Sequence, residues 1–101
     1  MRIYIAGPMT GYKDLNYPAF EAAAKELEAA GHIPLNPASV DNGGEAHSWE
    51  WYMKRTIPMM CSADAVMTLK GWEGSRGAGI EVDLAIDLAM PVYDSIEDIP
   101  Q

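Results

Sequence analysis

Cysteine is nearly missing from this chain: Cys61 is the single one in 101 residues. An intramolecular disulfide is therefore excluded, and a reducing compartment is expected. Positive charge is scarce as well. Seven Lys and Arg stand against fifteen Asp and Glu, for a formal net charge of -8. A nucleic-acid polymer or an anionic membrane calls for a basic face, so neither is expected as a partner. A mononucleotide stays compatible, because a helix N-terminus holds phosphate through backbone N–H groups and needs few lysines. No apolar run approaches the length of a membrane span, and residues 2–8 are too short and wrongly patterned for a signal peptide. Internal repeats, linkers and low-complexity tracts are missing too. His47 has no cysteine and no second histidine at ligand spacing, which argues against a metal site. The expectation is one soluble, cytoplasmic domain spanning residues 1–101.

What is present is an alternation of strand and helix signals. Arg2-Ile3-Tyr4-Ile5-Ala6 is apolar on both faces, as suits the buried centre of a parallel sheet. Gly7-Pro8-Met9-Thr10-Gly11 then turns, either as a plain strand–helix connection or as one rim of a binding loop. Over residues 17–31, Phe20, Ala23, Ala24, Leu27 and Ala30 recur at helical spacing, with Asn16 as N-cap, Pro18 in the first turn and Gly31 as the stop. Residues 32–37 form a short strand that Pro34 places near an edge, with His32 at its entry. A polar loop over 38–48 contains Asn42-Gly43-Gly44.

Ser48 opens a second helix with Trp49, Tyr52, Met53, Thr56, Ile57 and Met60 along one face and Pro58 inside it. Trp49, Trp51 and Tyr52 exceed what a small core needs. They are either buried within the monomer or an exposed patch for a partner, most commonly a second copy of the chain. Residues 64–69 read as a third strand and 75–90 as a third helix, with Ile80, Leu84, Ala85 and Leu88 inward. Pro91-Val92-Tyr93 is a fourth short strand, and residues 94–101 a loop or frayed turn. The fold class is α/β: a right-handed three-layer sandwich on a short parallel four-stranded sheet, flavodoxin- or Rossmann-like.

The chain is organised around Gly71-Trp72-Glu73-Gly74-Ser75-Arg76-Gly77-Ala78-Gly79-Ile80-Glu81, directly after the third strand. Ligands of open α/β sheets sit where strand carboxyl ends meet helix N-termini. Ser75 is placed to cap the helix, and the free N–H groups of its first turn then face outward. Glu81 falls within the first turn or two, where the helix dipole favours an ionised carboxylate. It is either a dipole partner or a nucleophile at the edge of a cleft.

Tyr4-Ile5-Ala6-Gly7-Pro8, Asp64-Ala65-Val66 and the Ser75 to Glu81 segment together resemble the nucleoside 2-deoxyribosyltransferase-like superfamily. Its members move a deoxyribosyl group between bases or hydrolyse 2′-deoxynucleoside 5′-phosphates. The likeness covers nearly the whole chain to Pro91-Val92, and Leu69-Lys70-Gly71-Trp72-Glu73-Gly74-Ser75 resembles a small branch met in phage genomes. By this resemblance Glu81 matches the nucleophilic glutamate, Tyr4 the tyrosine that positions it, and Ser75 a phosphate-contacting serine. Thr56 stands where relatives commonly carry an aspartate that assists departure of the base, and the chain ends soon after the fourth strand, where family enzymes continue.

The resemblance thus implies N-glycosidic cleavage, or base exchange, on a (deoxy)nucleoside 5′-monophosphate through a glycosyl-Glu81 intermediate, with no metal or cofactor. Gly7, Pro8, Met9, Ser75, Arg76, Gly77, Ala78 and Gly79 would contact the substrate, with Trp72 or Met9 over the base. Two other classes stay open: a non-catalytic nucleotide-binding module, and a dimeric interaction protein.

Overall fold

Alternation along the first strand decides the architecture. In a computed structural model of the chain, which describes residues 1–40 and 47–100, β1 (Arg2–Ala6) is buried from Ile3 onward. It lies inside a four-stranded, all-parallel sheet of order β2 (Ile33–Leu35), β1, β3 (Ala65–Thr68), β4 (Val92–Tyr93). Tyr4 pairs with Leu35 on one side and Val66 on the other. Successive strand side chains leave on opposite faces. Ile3, Ile5, Ala65 and Met67 therefore pack against Phe20, Ala23 and Leu27 of α1 (Tyr17–Ala29). Tyr4, Ala6 and Val66 pack on the other face against Met60 of α2 (Trp49–Cys61) and Val82 and Ala85 of α3 (Arg76–Asp87). This is the expected α/β sandwich, and Pro34 does sit on an edge strand. No helix among the described residues is long and apolar enough to cross a membrane.

Three expectations need correcting. Ile80 and Leu88 point outward, 40% and 51% exposed, and the buried face of α3 is Ala78, Glu81, Val82 and Ala85. Two residues beyond Ala78 is about 200° around a helix, so Ile80 cannot share its face, whereas Ala85 is buried and Leu84 packs against the core as expected. Small residues and one carboxylate form that inner face, which hydrophobic periodicity passes over. Asn16 does not cap α1: it adopts φ 63°, and its side-chain amide donates to the Pro8 carbonyl at 3.0 Å. The end of the chain does turn, over a short 3-10 segment (Ile96–Asp98), but it is anchored and not frayed, since Ile99 is 2% exposed among the α1-side core residues. Residues 41–46 of the polar loop, including Asn42-Gly43-Gly44, lie outside the described residues, as does Gln101.

α3 ends on Ala89 at φ 58°, with the Met90 N–H reaching the Ala85 carbonyl at 2.8 Å. Such a left-handed terminus is ordinarily glycine, because a Cβ there costs about 1 kcal/mol. Ala89→Gly is expected to stabilise the protein by about 1 kcal/mol, read as a raised denaturation midpoint at unchanged slope.

Candidate functional site

The strand order reverses direction between β1 and β3, so the loops that follow them depart toward opposite faces and leave a crevice. Tyr12 spans it. A Cβ on Gly71, itself at φ 89°, would lie 2.7 Å from the Tyr12 hydroxyl, so a side chain there is blocked by both conformation and space. Between these loops and the starts of α2 and α3 opens a cavity of about 850 Å³, within the range that holds a small molecule.

Tyr4 and Glu81 both line that cavity. Tyr4, on an even position of β1, points to the α2/α3 face, and its hydroxyl donates to Glu81 Oε2 at 2.5 Å. Glu81 is 5% exposed. Burial pushes its carboxyl up to about 7, while hydrogen bonds from Tyr4 and Thr56 pull the other way. Desolvation thus outweighs the helix dipole that the sequence suggested would keep it ionised. Burial and the Glu81 charge together push the Tyr4 phenol well above its ordinary value. Thr56, buried on α2, completes the cluster, and every buried side-chain polar atom among the described residues has a partner.

At the start of α3, the Ser75 hydroxyl accepts from the Ala78 N–H at 3.2 Å, as an N-cap should. The Gly79 N–H is also taken, by the Ser75 carbonyl at 2.9 Å. The outward-facing amides are accordingly those of Arg76 and Gly77, fewer than the four that residues 76–79 were expected to offer. The Arg76 guanidinium lies 3.8 Å over the ring of Trp49, the first residue of α2. Two helix N-termini are thereby joined at the cavity mouth. Gly77 is a close-approach position, since a Cβ there would sit 3.1 Å from Met53 Sδ.

Of the residues expected to contact a ligand, Gly7, Pro8, Met9, Ser75, Arg76, Gly77 and Ala78 line the cavity. Trp72 and Gly79 are not among its lining residues, and Trp72 packs against the α2/α3-side core instead. The aromatic walls come from elsewhere: Tyr12, His47, Trp49 and Tyr52. The excess of aromatics on α2 was the legible signal for them, and it pointed inward as much as toward any partner.

Residues 1–94 match the model of a domain of unknown function, DUF4406. No curated protein matches the chain. Among solved structures the chain is similar to a 2-deoxyribosyltransferase from the psychrotolerant bacterium Bacillus psychrosaccharolyticus, with a TM-score of 0.71 and 21% identity, over 99% of this chain and 77% of that one. At that identity the likeness is one of fold. By the extent of its match, the chain belongs to the DUF4406 family.

Proposed function

We propose that the cavity cleaves the N-glycosidic bond of a (deoxy)nucleoside 5′-monophosphate, releasing the base to water or exchanging it for another. One observation carries this reading: a buried carboxyl, hydrogen-bonded by a buried tyrosine at 2.5 Å, lining a cavity of nucleotide size. The likeness in fold to a 2-deoxyribosyltransferase supports the same class of reaction. The Glu81 carboxylate attacks C1′ through an oxocarbenium-like transition state, and water then hydrolyses the glycosyl ester with net retention. Tyr4 holds the attacking oxygen in place. Ser75, with the amides of Arg76 and Gly77 and the Arg76 guanidinium, binds the 5′-phosphate. The protein acts in this reading as one cytoplasmic domain, paired as a homodimer.

A panel of ribo- and deoxyribonucleoside 5′-monophosphates tests it, analysed for free base after incubation with wild type and with Glu81→Gln. Base from wild type alone is the expected result and names the substrate. Release by both proteins removes Glu81 from the mechanism. A second reading, nucleotide binding without cleavage, is favoured by Thr56, whose alcohol faces the Tyr4–Glu81 pair where an acid would help a base to leave. It predicts no base from any member but a raised melting temperature with one.

A further inference from the structure

We propose that His47 is the general acid that protonates the departing base, an assignment that rests on the glycosidase reading of the cavity. Breaking the C1′–N bond leaves an electron pair on a heterocyclic nitrogen, and a base departs far more readily once that charge is neutralised. Few groups in the described lining can supply the proton. Tyr4 already donates to Glu81 at 2.5 Å, and Glu81 is the attacking group. Ser75 and Thr56 are alcohols, Tyr12 and Tyr52 phenols, and Arg76 a guanidinium, all of them types that hold their protons tightly. Apart from a carboxyl, imidazole is the side-chain type that exchanges a proton readily near neutrality.

His47 lines the same cavity as Tyr4 and Glu81, one residue before the Ser48 that caps α2 through the Trp51 N–H at 3.1 Å. Its ring lies on Trp51 with centroids 3.5 Å apart and planes 8° from parallel, and it meets Tyr52 edge-on at 5.9 Å. The Arg55 guanidinium is 3.8 Å from the centre of that same indole, and its Nη1 donates to the Trp51 carbonyl at 3.0 Å. Two flat groups this near one ring centre occupy its opposite faces, so Trp51 is clamped and in turn sets the plane of the imidazole. Stacking uses the face of the imidazole and leaves its nitrogens, which lie in the ring plane, to meet a ligand.

In the first half-reaction a Glu81 oxygen bonds to C1′ as the C1′–N bond breaks. The electron pair stays with the base, and the His47 imidazolium gives that base a proton. In the second, the now neutral His47 takes a proton from water as the water oxygen bonds to C1′ and the Glu81 carboxylate leaves. One water is consumed, base and sugar phosphate are released, and both side chains recover their starting charge.

Leaving-group chemistry tests the assignment. Wild type and His47→Gln are assayed on the monophosphate that releases base and on p-nitrophenyl 2-deoxyribofuranoside 5-phosphate, whose phenolate departs without a proton. The variant is expected to lose about 100-fold or more in kcat/KM on the monophosphate and less than about threefold in kcat/KM on the nitrophenyl substrate, since kcat/KM reports the step in which the leaving group departs and not the later hydrolysis that both substrates share. Equal loss on both, or no loss on either, overturns the assignment. Should glutamine impair folding, His47→Gly assayed with added imidazole decides: recovery on the monophosphate supports the role, and no recovery in the folded variant removes it. If wild type turns over neither substrate, the glycosidase reading fails and takes this proposal with it.

Discussion

Glu81→Gln is expected to end turnover and, in alkaline buffer, to raise the melting temperature. The carboxyl moves from 4.5 to about 7 on folding because it is buried. Between those values the native state keeps a proton that the unfolded chain has released, so this group's contribution to stability falls as pH rises through the window. At pH 8 both states are ionised, and the native state bears the full cost of a buried charge, about 3 kcal/mol. Glutamine is neutral at every pH. Its amide still needs partners, which Tyr4 and Thr56 offer, leaving a net gain of about 2 kcal/mol, or roughly 10 °C for a domain of this size. At pH 4.5 the two proteins should melt together as far as this group is concerned. Thermal melts at the two pH values measure it, and a difference that does not change with pH would show that Glu81 is not protonated on folding. A residue that costs stability and is buried in a cavity is what a functional group looks like energetically.

Tyr4→Phe is expected to reduce base release at pH 7 by about 10- to 100-fold, the value of one hydrogen bond to a charged group. The mechanism is specific. Without the phenol, one of the two interactions that favour the ionised carboxylate is gone, and the Glu81 carboxyl titrates still higher than about 7. The rising limb of kcat/KM against pH should therefore move to the alkaline side, and part of the lost activity should return as pH increases. In wild type that limb is expected near pH 7. A uniform loss across the whole profile would mean that Tyr4 acts through packing alone. Phenylalanine fills nearly the same volume at this fully buried position, so the fold is retained.

Much of the architecture could be read from the residues, and the reasons for the failures are physical. The strong apolar run at residues 3–5, the Gly31 stop and the Ser48 and Ser75 caps each declare a boundary by local chemistry, and the structure has them there. The inner face of α3 did not declare itself, because Ala78 and Glu81 are not what a hydrophobic period selects. Nor did Ile99, whose burial depends on a surface made by α1 and the sheet, far away in sequence. Tyr4 and Glu81 were legible as a pair only through family resemblance; nothing local in a strand tyrosine says which carboxylate it will meet 77 residues on. The aromatic walls of the cavity, from Tyr12, His47, Trp49 and Tyr52, were harder still. Their side chains converge from two separate segments, and no spacing rule links position 12 to positions 47–52.

The alternation of β1 has an evolutionary consequence. Ile3 and Ile5 face α1, whereas Tyr4 and Ala6 face the cavity side, so a single strand separates two selective pressures at atomic distance. None of Ile3, Ile5, Phe20 and Leu27 lines the cavity, and of the cavity-lining residues Met9 packs against the layer they form. That layer is free to drift among volume-conserving apolar sets, limited only by packing. Descendants of such a chain can acquire heat tolerance on one side of the sheet and a new substrate on the other, each without negotiating with the other.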